Sequence, residues 1–532
     1  MKHLLCAFLV SGIVVQGLGQ QQASTTITDK SAEYAATITA DDLSRHLHII
    51  ASDSLEGRDT GERGQKMAAN YIATHFFNSG LQAVVNSEEN SKSFYQPFEL
   101  VRRSWGQVYV ETGTKRREFL KDFYIIGSLN YPGQKDMDVV FGGYGIDAPN
   151  YSDYSKIDVK GKGVLVWSGE PAGRKGKYLV TGTSEASEWA TNWRKKVATA
   201  KEKGAELVFV VTEDQKTLDN TINQYKGYFS HPTLGFRENG ATNDGTVFIS
   251  PAMAAEMLGV SERQLERQRR RISRRGKSTT DRVDAGAISI QAQRKEEAVI
   301  TENVLGYIEG TDKKDELLVI TAHYDHEGIK DGQIYNGADD DGSGTVAVLE
   351  MAEAFAQAKN DGFAPRRSIL FMTVTAEEKG LLGSEYYTKN PIFPLQNTVV
   401  NLNIDMIGRV DKSHENNPDY IYVIGADKLS SELHKINEEA NAKYTKLDLD
   451  YTYNDPNDPN RFYYRSDHYN FAKNRIPVAF FFNGVHDDYH RPTDDVEKIN
   501  FQKMEKITRL VFHTAWELAN REQRIVVDSN KQ

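Results

Sequence analysis

Leu317-Leu-Val-Ile-Thr-Ala-His-Tyr-Asp325, the loop Gly337-Ala-Asp-Asp-Asp-Gly-Ser-Gly344 and the run Thr345 to Ala358 are the stretch on which the fold reading turns. The first piece is a short continuous apolar run, the pattern of a strand buried on both faces. It ends on a histidine and an aspartate. A Gly- and Asp-rich loop then leads into apolar residues at helical spacing. The alternation recurs downstream, with strands at Ser368 to Ala376, Val399 to Ile404 and Pro477 to Phe482. Further helices are expected at Leu429 to Ala442 and Phe501 to Ala519. This predicts an α/β fold with a mostly parallel central sheet flanked by helices.

Ligands of open α/β sheets bind beyond the carboxyl ends of the strands. Here those ends are ionisable: His323 and Asp325, Glu377-Glu378, Asp405, and Tyr489-His490 beyond the last strand. Asp339-Asp340-Asp341 adds carboxylates to the same edge. Each piece alone is weak. A Glu-Glu pair at a strand end is usually a turn. An acidic Gly-rich loop could hold calcium, although this one lacks the spacing and terminal Glu of a helix-loop-helix site. Together, so many hard-to-bury groups on one rim repel unless cations bind them. Imidazoles and carboxylates without thiolates suit zinc, with Co2+ or Mn2+ as substitutes. One Asp can bridge two ions about 3.5–4 Å apart, leaving another carboxylate free to take a proton.

The rest of the chain sets the context. At 532 residues it is too long for one ordinary core. Its 39% hydrophobic and 26% charged residues are a globular balance, and a net charge of −10 gives nucleic acid no electrostatic support. Lys2 and His3, the apolar run Leu4 to Val15, then Gly17 and Gly19 read as an export signal over residues 1–19. The run is short of the roughly 20 residues that a membrane span needs. Cys6, the single cysteine, falls inside it, so the mature chain is expected to lack disulfides and thiolate ligands. An exported protein is expected, periplasmic or secreted, with no integral membrane association after cleavage. The sequence sets no oligomeric state.

Residues 20–100 read as the opening of the main domain, with a helix start at Thr39-Ala-Asp-Asp42. Residues 101–300 have another texture, with short strands, Gly/Asp turns and a helix leading into Leu207-Val-Phe-Val-Val211, and read as an inserted mixed α/β domain. The basic segment Arg263 to Arg282 is expected to be a solvated helix face and loop. Residues 301–525 carry the sheet and the site.

These motifs, in order, resemble the co-catalytic zinc exopeptidases, a group with bacterial secreted aminopeptidases, glutamate carboxypeptidase and the metal-free transferrin receptor. The matching residues are His323-Tyr-Asp325, the Gly337 to Gly344 loop, Ala376-Glu-Glu378, Asn403-Ile-Asp405, Arg465-Ser-Asp-His468 and Tyr489-His490. Leu55-Glu-Gly-Arg58 and Ala68 to Ala73 look like the group's opening. Gly142-Gly-Tyr-Gly145 and Asp158 to Lys162 resemble a protease-associated domain.

The resemblance implies a peptide-cleaving aminopeptidase with two Zn2+ per chain. His323 and Asp405 would hold one ion, Glu378 and His490 the other, with Asp340 between them. Asp325 would orient His323, Glu377 would be the general base, and Tyr489 would hydrogen-bond the oxyanion. Arg465 would face the substrate or form a structural salt bridge. Ser466-Asp-His468 would be scaffolding, and His326 and His486 bystanders. Asp341 departs from the Asn frequent in relatives. The alternatives are a carboxypeptidase or dipeptidase of the same fold, a glutaminyl cyclase and an inactive binding module. The full ligand set disfavours the last two.

Overall fold

A computed structural model of the chain describes residues 29–87, 91–173, 176–237 and 243–530. The expected export segment, with Cys6, lies outside the described residues. Among those described, no helix is long and apolar enough to cross a membrane.

The strands that position the site, in chain order, are β1 (Tyr95–Thr112), β2 (Phe123–Ile126), β3 (Tyr131–Phe141), β4 (Gly163–Trp167), β5 (Leu207–Val211) and β6 (Thr246–Ile249). They continue with β7 (Gly286–Ile308), β8 (Lys313–His323), β9 (Arg367–Val374), β10 (Thr398–Ile404), β11 (Tyr420–Ile424) and β12 (Val478–Phe482). Across one large sheet their order is β11, β12, β10, β8, β9, β7, β3, β4, β5, β6, β2, with β1 paired to β7 off this path. The neighbours β12, β10, β8 and β9 run parallel. Antiparallel β11 and β7 flank them. A second parallel run, β3 to β6, lies in the segment expected as an insert.

The joint between the two halves is β7. Its last residues pair with β9, its first with β3, and almost its whole length with β1. The expected boundaries at residues 100/101 and 300/301 therefore fall inside paired strands. Charged residues such as Arg294, Lys295, Glu296 and Glu297 belong to this ribbon, paired across to Trp105, Ser104, Arg103 and Arg102. Their polarity hides the strand from a search for apolar runs.

The helices packed on one sheet face include α1 (Ala40–Ile50), α2 (Arg63–Asn78), α3 (Gly344–Asn360) and α4 (Phe501–Asn520). Thr39 caps α1 as expected, its hydroxyl accepting the Asp42 N–H at 3.2 Å. Leu47, Ile72, Val348, Phe355 and Leu510 from these helices meet Leu318, Ile320, Phe371 and Leu402 from alternate strand positions. The opposite face buries Val319, Leu370, Met372 and Phe471. With both faces covered, the strands are apolar throughout, at about 1.5–3 kcal/mol per buried large side chain. Residues 101–300 have their own core around Phe141, Leu165, Phe209 and Val247. The basic segment forms helix Glu262–Arg275, which buries only Leu265 and Ile272.

Candidate metal centre

Each parallel strand hands a ligand-type side chain to one rim. His323 is the last residue of β8, and Asp405 follows β10 directly. Beyond β9 the backbone turns at Ala376, where φ is 56°, to present Glu377 and Glu378. Met406 (φ 58°) and His490 (φ 53°) are also left-handed. Such a conformation costs a non-glycine residue roughly 1–2 kcal/mol, so surrounding contacts must hold it.

Asp340 arrives on the loop before α3. Gly337 (φ 55°) starts this loop, and a Cβ there would meet the Asp340 carbonyl at 2.2 Å and the His326 ring at 2.5 Å. Gly344 ends it, where a Cβ would lie 2.4 Å from Asp341 Oδ1 and 2.5 Å from the Ile404 carbonyl. Glycine at both ends lets the loop sit this close to the strand ends.

The five expected ligands converge. His323 Nε2 lies 3.1 Å from Asp340 Oδ1 and 3.7 Å from Asp405 Oδ1. His490 Nε2 lies 3.0 Å from Asp340 Oδ2 and 3.2 Å from Glu378 Oε2. Asp340 thus offers one oxygen to each imidazole. Two donors about 2.0–2.2 Å from one tetrahedral ion are roughly 3.3–3.5 Å apart, so these spacings fit two ions sharing Asp340. The donor set holds imidazole and carboxylate alone, which suits zinc. Glu377 Oε2 stands 4.0 Å from His323 Nε2, beside the cluster.

The adjacent glutamates are driven apart electrostatically. Burial, reinforced by nearby Glu378 and Asp405, pushes the Glu377 carboxyl well above the usual range, although His323 opposes it. Burial and Asp340 also push Glu378 up, but His326 and His490 outweigh them and hold it low. Asp340 is likewise held low by His323 and His490 against its burial. Neighbouring carboxyls with opposed shifts mark different jobs for the two groups.

The other expected residues take these places. His323 Nδ1 is 3.0 Å from the Asp325 carbonyl and 3.7 Å from its carboxylate, so the backbone oxygen is the nearer orienting partner. The Asp325 carboxylate instead accepts the Glu377 N–H at 3.1 Å and the Thr60 hydroxyl at 2.9 Å. Tyr489 stacks on His490, with ring centroids 3.9 Å apart. Arg465 approaches the Tyr489 hydroxyl at 3.5 Å and lies over Phe462. Both Arg465 and Tyr489 line the cleft with His323, Asp340, Glu377 and Asp405. His486 sits against Asp339 at 3.1 Å, away from the five ligands.

Several residues support these ligands in ways the sequence did not specify. Arg58 is fully buried beneath the cleft and donates to the carbonyls of Ile50, Tyr324, Asn336 and Gly337. Asp341 accepts N–H groups from His323, Gly344 and Met406, tying three segments together. Asp494 accepts those of Asp339 and Asp340. Ser466, expected as scaffolding, donates to Asp405 Oδ2 at 2.7 Å. His326, expected as a bystander, brings Nδ1 to 2.9 Å from Glu378 Oε1. That approach is too misaligned for a hydrogen bond, and both buried atoms lack a hydrogen-bond partner.

Residues 303–515 match the model of peptidase family M28. The chain is 29% identical over 233 residues to aminopeptidase YwaD of Bacillus subtilis (strain 168), covering 42% of this chain and 46% of that protein. It is 24% identical over 464 residues to a glutamate carboxypeptidase 2 homologue of Caenorhabditis briggsae, covering 75% and 57% respectively. The chain thus spans about half the length of these curated relatives. The solved aminopeptidase from Aneurinibacillus sp. strain AM-1 superposes with a TM-score of 0.53 at 18% identity, over 94% of this chain and 100% of that one, and so shares the fold. The strand ends, the Asp340 loop and His490 all lie within the matched segment, and residues 303–515 are a peptidase family M28 domain.

Proposed function

We propose that the chain is a zinc-dependent exopeptidase, in the first instance an aminopeptidase, that removes terminal residues from peptides. The observation that carries this reading is Asp340 facing His323 through one oxygen and His490 through the other. His323 and Asp405 would hold one zinc, Glu378 and His490 the second, and Asp340 both. Such a pair supplies Lewis-acid polarisation of the scissile carbonyl and acidifies the attacking water. Glu377 then takes the water's proton on its carboxylate and returns it to the leaving amine. Burial raises its proton affinity above that of an ordinary carboxylate, which suits a group that must take up and return a proton. Burial, with Asp340 and Glu378 nearby, pushes the Tyr489 phenol up, so it stays protonated and can donate to the developing oxyanion. Met406, Phe462, Phe480, Phe482 and Val485 wall the cleft and favour an apolar terminal side chain. From the second half of the molecule, His231, Pro232, Thr233 and Leu234 line a groove that reaches Glu378. A protease-associated domain in that position would shape the substrate's path. The signal-like start supports action outside the cytoplasm.

Arg465 in the same cleft favours a second reading, capture of a substrate carboxylate by a carboxypeptidase. A panel of free, N-blocked and C-blocked chromogenic peptides, with and without chelator, separates the two. Chelator-sensitive cleavage that needs a free N-terminus supports the first reading. Cleavage that tolerates N-blocking and needs a free C-terminus replaces it with the second.

A further inference from the structure

Behind the cleft, ligand-type side chains from three helices meet in a second cluster. His46 comes from α1, His75 from α2, and Glu350 and Glu353 from α3. His46 Nε2 is 3.3 Å from Glu350 Oε1, and His75 Nε2 is 3.6 Å from Glu353 Oε2. The imidazole rings meet edge to face with centroids 4.7 Å apart. One donor atom each from His46, His75 and Glu353 lie within 4.8 Å of one another. The two imidazole–carboxylate distances are close to the roughly 3.3 Å edge of a tetrahedral zinc site, and the three-residue group is compact enough to close on one ion. The Tyr71 hydroxyl sits 2.6 Å from His46 Nδ1, which leaves Nε2 toward the carboxylates. A tautomer held by an outer partner is a recurrent feature of metal-binding histidines.

We infer that His46, His75 and Glu353, with Glu350 beside His46, form a further divalent-cation site of zinc-like composition that clamps α1 and α2 onto α3. Two imidazoles with carboxylates and no thiolate are a zinc-type donor set. No residue is shared with the cleft. A simple ion pair accounts poorly for the cluster. Burial lowers His75 to about 4 and, with Glu353 nearby, raises Glu350 to about 8, so neither carries the charge a salt bridge needs at neutral pH. Neutral imidazole is the metal-binding form, and a cation would let Glu350 ionise. The three donors come from three helices, so the ion's role is structural. It also sits on the helix that begins at Gly344, directly after the Asp340 loop.

The test is zinc content of the full chain by mass spectrometry, after chelation and reloading with zinc alone. It uses wild type, His75→Gln, Glu353→Gln and Asp340→Ala, with the first two changes also placed in the Asp340→Ala background. Glu353 keeps 57% of its side chain exposed, so its amide replacement should fold. The expected result is one zinc fewer in His75→Gln and Glu353→Gln than in wild type, with peptide hydrolysis retained. Asp340→Ala should keep this ion, and zinc should still raise its melting temperature. Both properties should vanish when either second change is added. Equal zinc content with and without His75→Gln and Glu353→Gln, in both backgrounds, overturns the site while leaving the cleft untouched. Loss of the cleft ions alone in Asp340→Ala is the expected result and separates this site from the cleft.

Discussion

Replacing Arg58 with methionine would remove a charge and four hydrogen bonds from beneath the cleft while keeping most of the side-chain volume. The guanidinium is 0% exposed. It donates to the carbonyls of Ile50 and Asn336 at 2.6 Å, Tyr324 at 2.8 Å and Gly337 at 2.9 Å. A buried polar group left without its partner costs about 1–3 kcal/mol. Each carbonyl has a second lone pair, so the lower end applies, and four of them give roughly 4 kcal/mol. The same guanidinium faces Asp325, Asp340, Asp341 and Asp494, which hold up its proton affinity against a burial that lowers it to about 10. Breaking a buried charge pairing costs about 3–5 kcal/mol, a range that overlaps the first figure and does not add to it. Metal ions would compensate the same carboxylates, so the loss should be largest in chelated protein. Hydrogen exchange into peptides covering Asn336 to Thr345 reads it directly. About 4 kcal/mol of local destabilisation corresponds to roughly 10³-fold faster exchange without metal, with a smaller factor when zinc is present. Acceleration below tenfold, or equal acceleration with and without zinc, would refute the reasoning.

Glu377→Gln should retain the wild-type metal content while kcat falls by about 10² or more, the scale of a lost general base. Near-normal turnover would remove Glu377 from the reaction. Ser466→Ala frees Asp405 Oδ2 from its 2.7 Å hydroxyl partner. Zinc affinity, measured by competition with a chelating dye, should drop about 10–100-fold, and an unchanged value would show that Asp405 needs no such support. Zinc affinity should also weaken as pH falls from 8 to 6. Burial opposes charge on His490, but Asp340 and Glu378 lift it to about 10 in the metal-free protein, so binding must displace a proton. The sign for folding is opposite. This raised pKa stabilises the metal-free fold fully below about 6.5, and the contribution fades as pH rises toward 10. Zinc binding that strengthens with acidification would contradict both statements.

The ends of the parallel strands were legible because their physics is local. A strand buried on both faces must be apolar, so the first ionisable residue after it stands out, as His323, Glu377 and Asp405 do. The loop before α3 was legible for a similar reason, since closely spaced glycines and aspartates have few structural uses. The long ribbon of β1 and β7 was not. Its exposed positions take charge, and its length serves the joint between two halves rather than one core. Arg58 was legible only as part of the Leu55-Glu-Gly-Arg58 resemblance, with no role attached. A lone Arg in a Gly-rich turn has the composition of a solvated loop, and only the three-dimensional arrangement shows four carbonyls waiting for it. His326 was read as a bystander because its neighbour, Glu378, follows a different strand, which the sequence does not place beside it. Asp341 registered only as a departure from the Asn frequent in relatives, whereas its oxygens accept three backbone N–H groups.

The cleft is stable only as a balanced set of charges. Asp325, Asp339, Asp340, Asp341, Asp467 and Asp494 are all buried around it, and among the described residues Arg58 is the fully buried guanidinium that touches the loop carrying three of them. The shifts record how the remaining charge is shared. Burial raises Asp467 to about 7 and, with Asp339 adjacent, Asp494 to about 6. Asp340 and Glu378, which face the imidazoles, are held low. Groups driven toward protonation can hold or move a proton, and groups kept ionised are the ones a cation can bridge. Two ions placed at Asp340 would strengthen that division, drawing charge density to the ligands and leaving Glu377 beside them as the proton carrier. Metal binding and the ordering of the cleft are then one equilibrium, while the apolar sheet beneath holds its shape by packing alone.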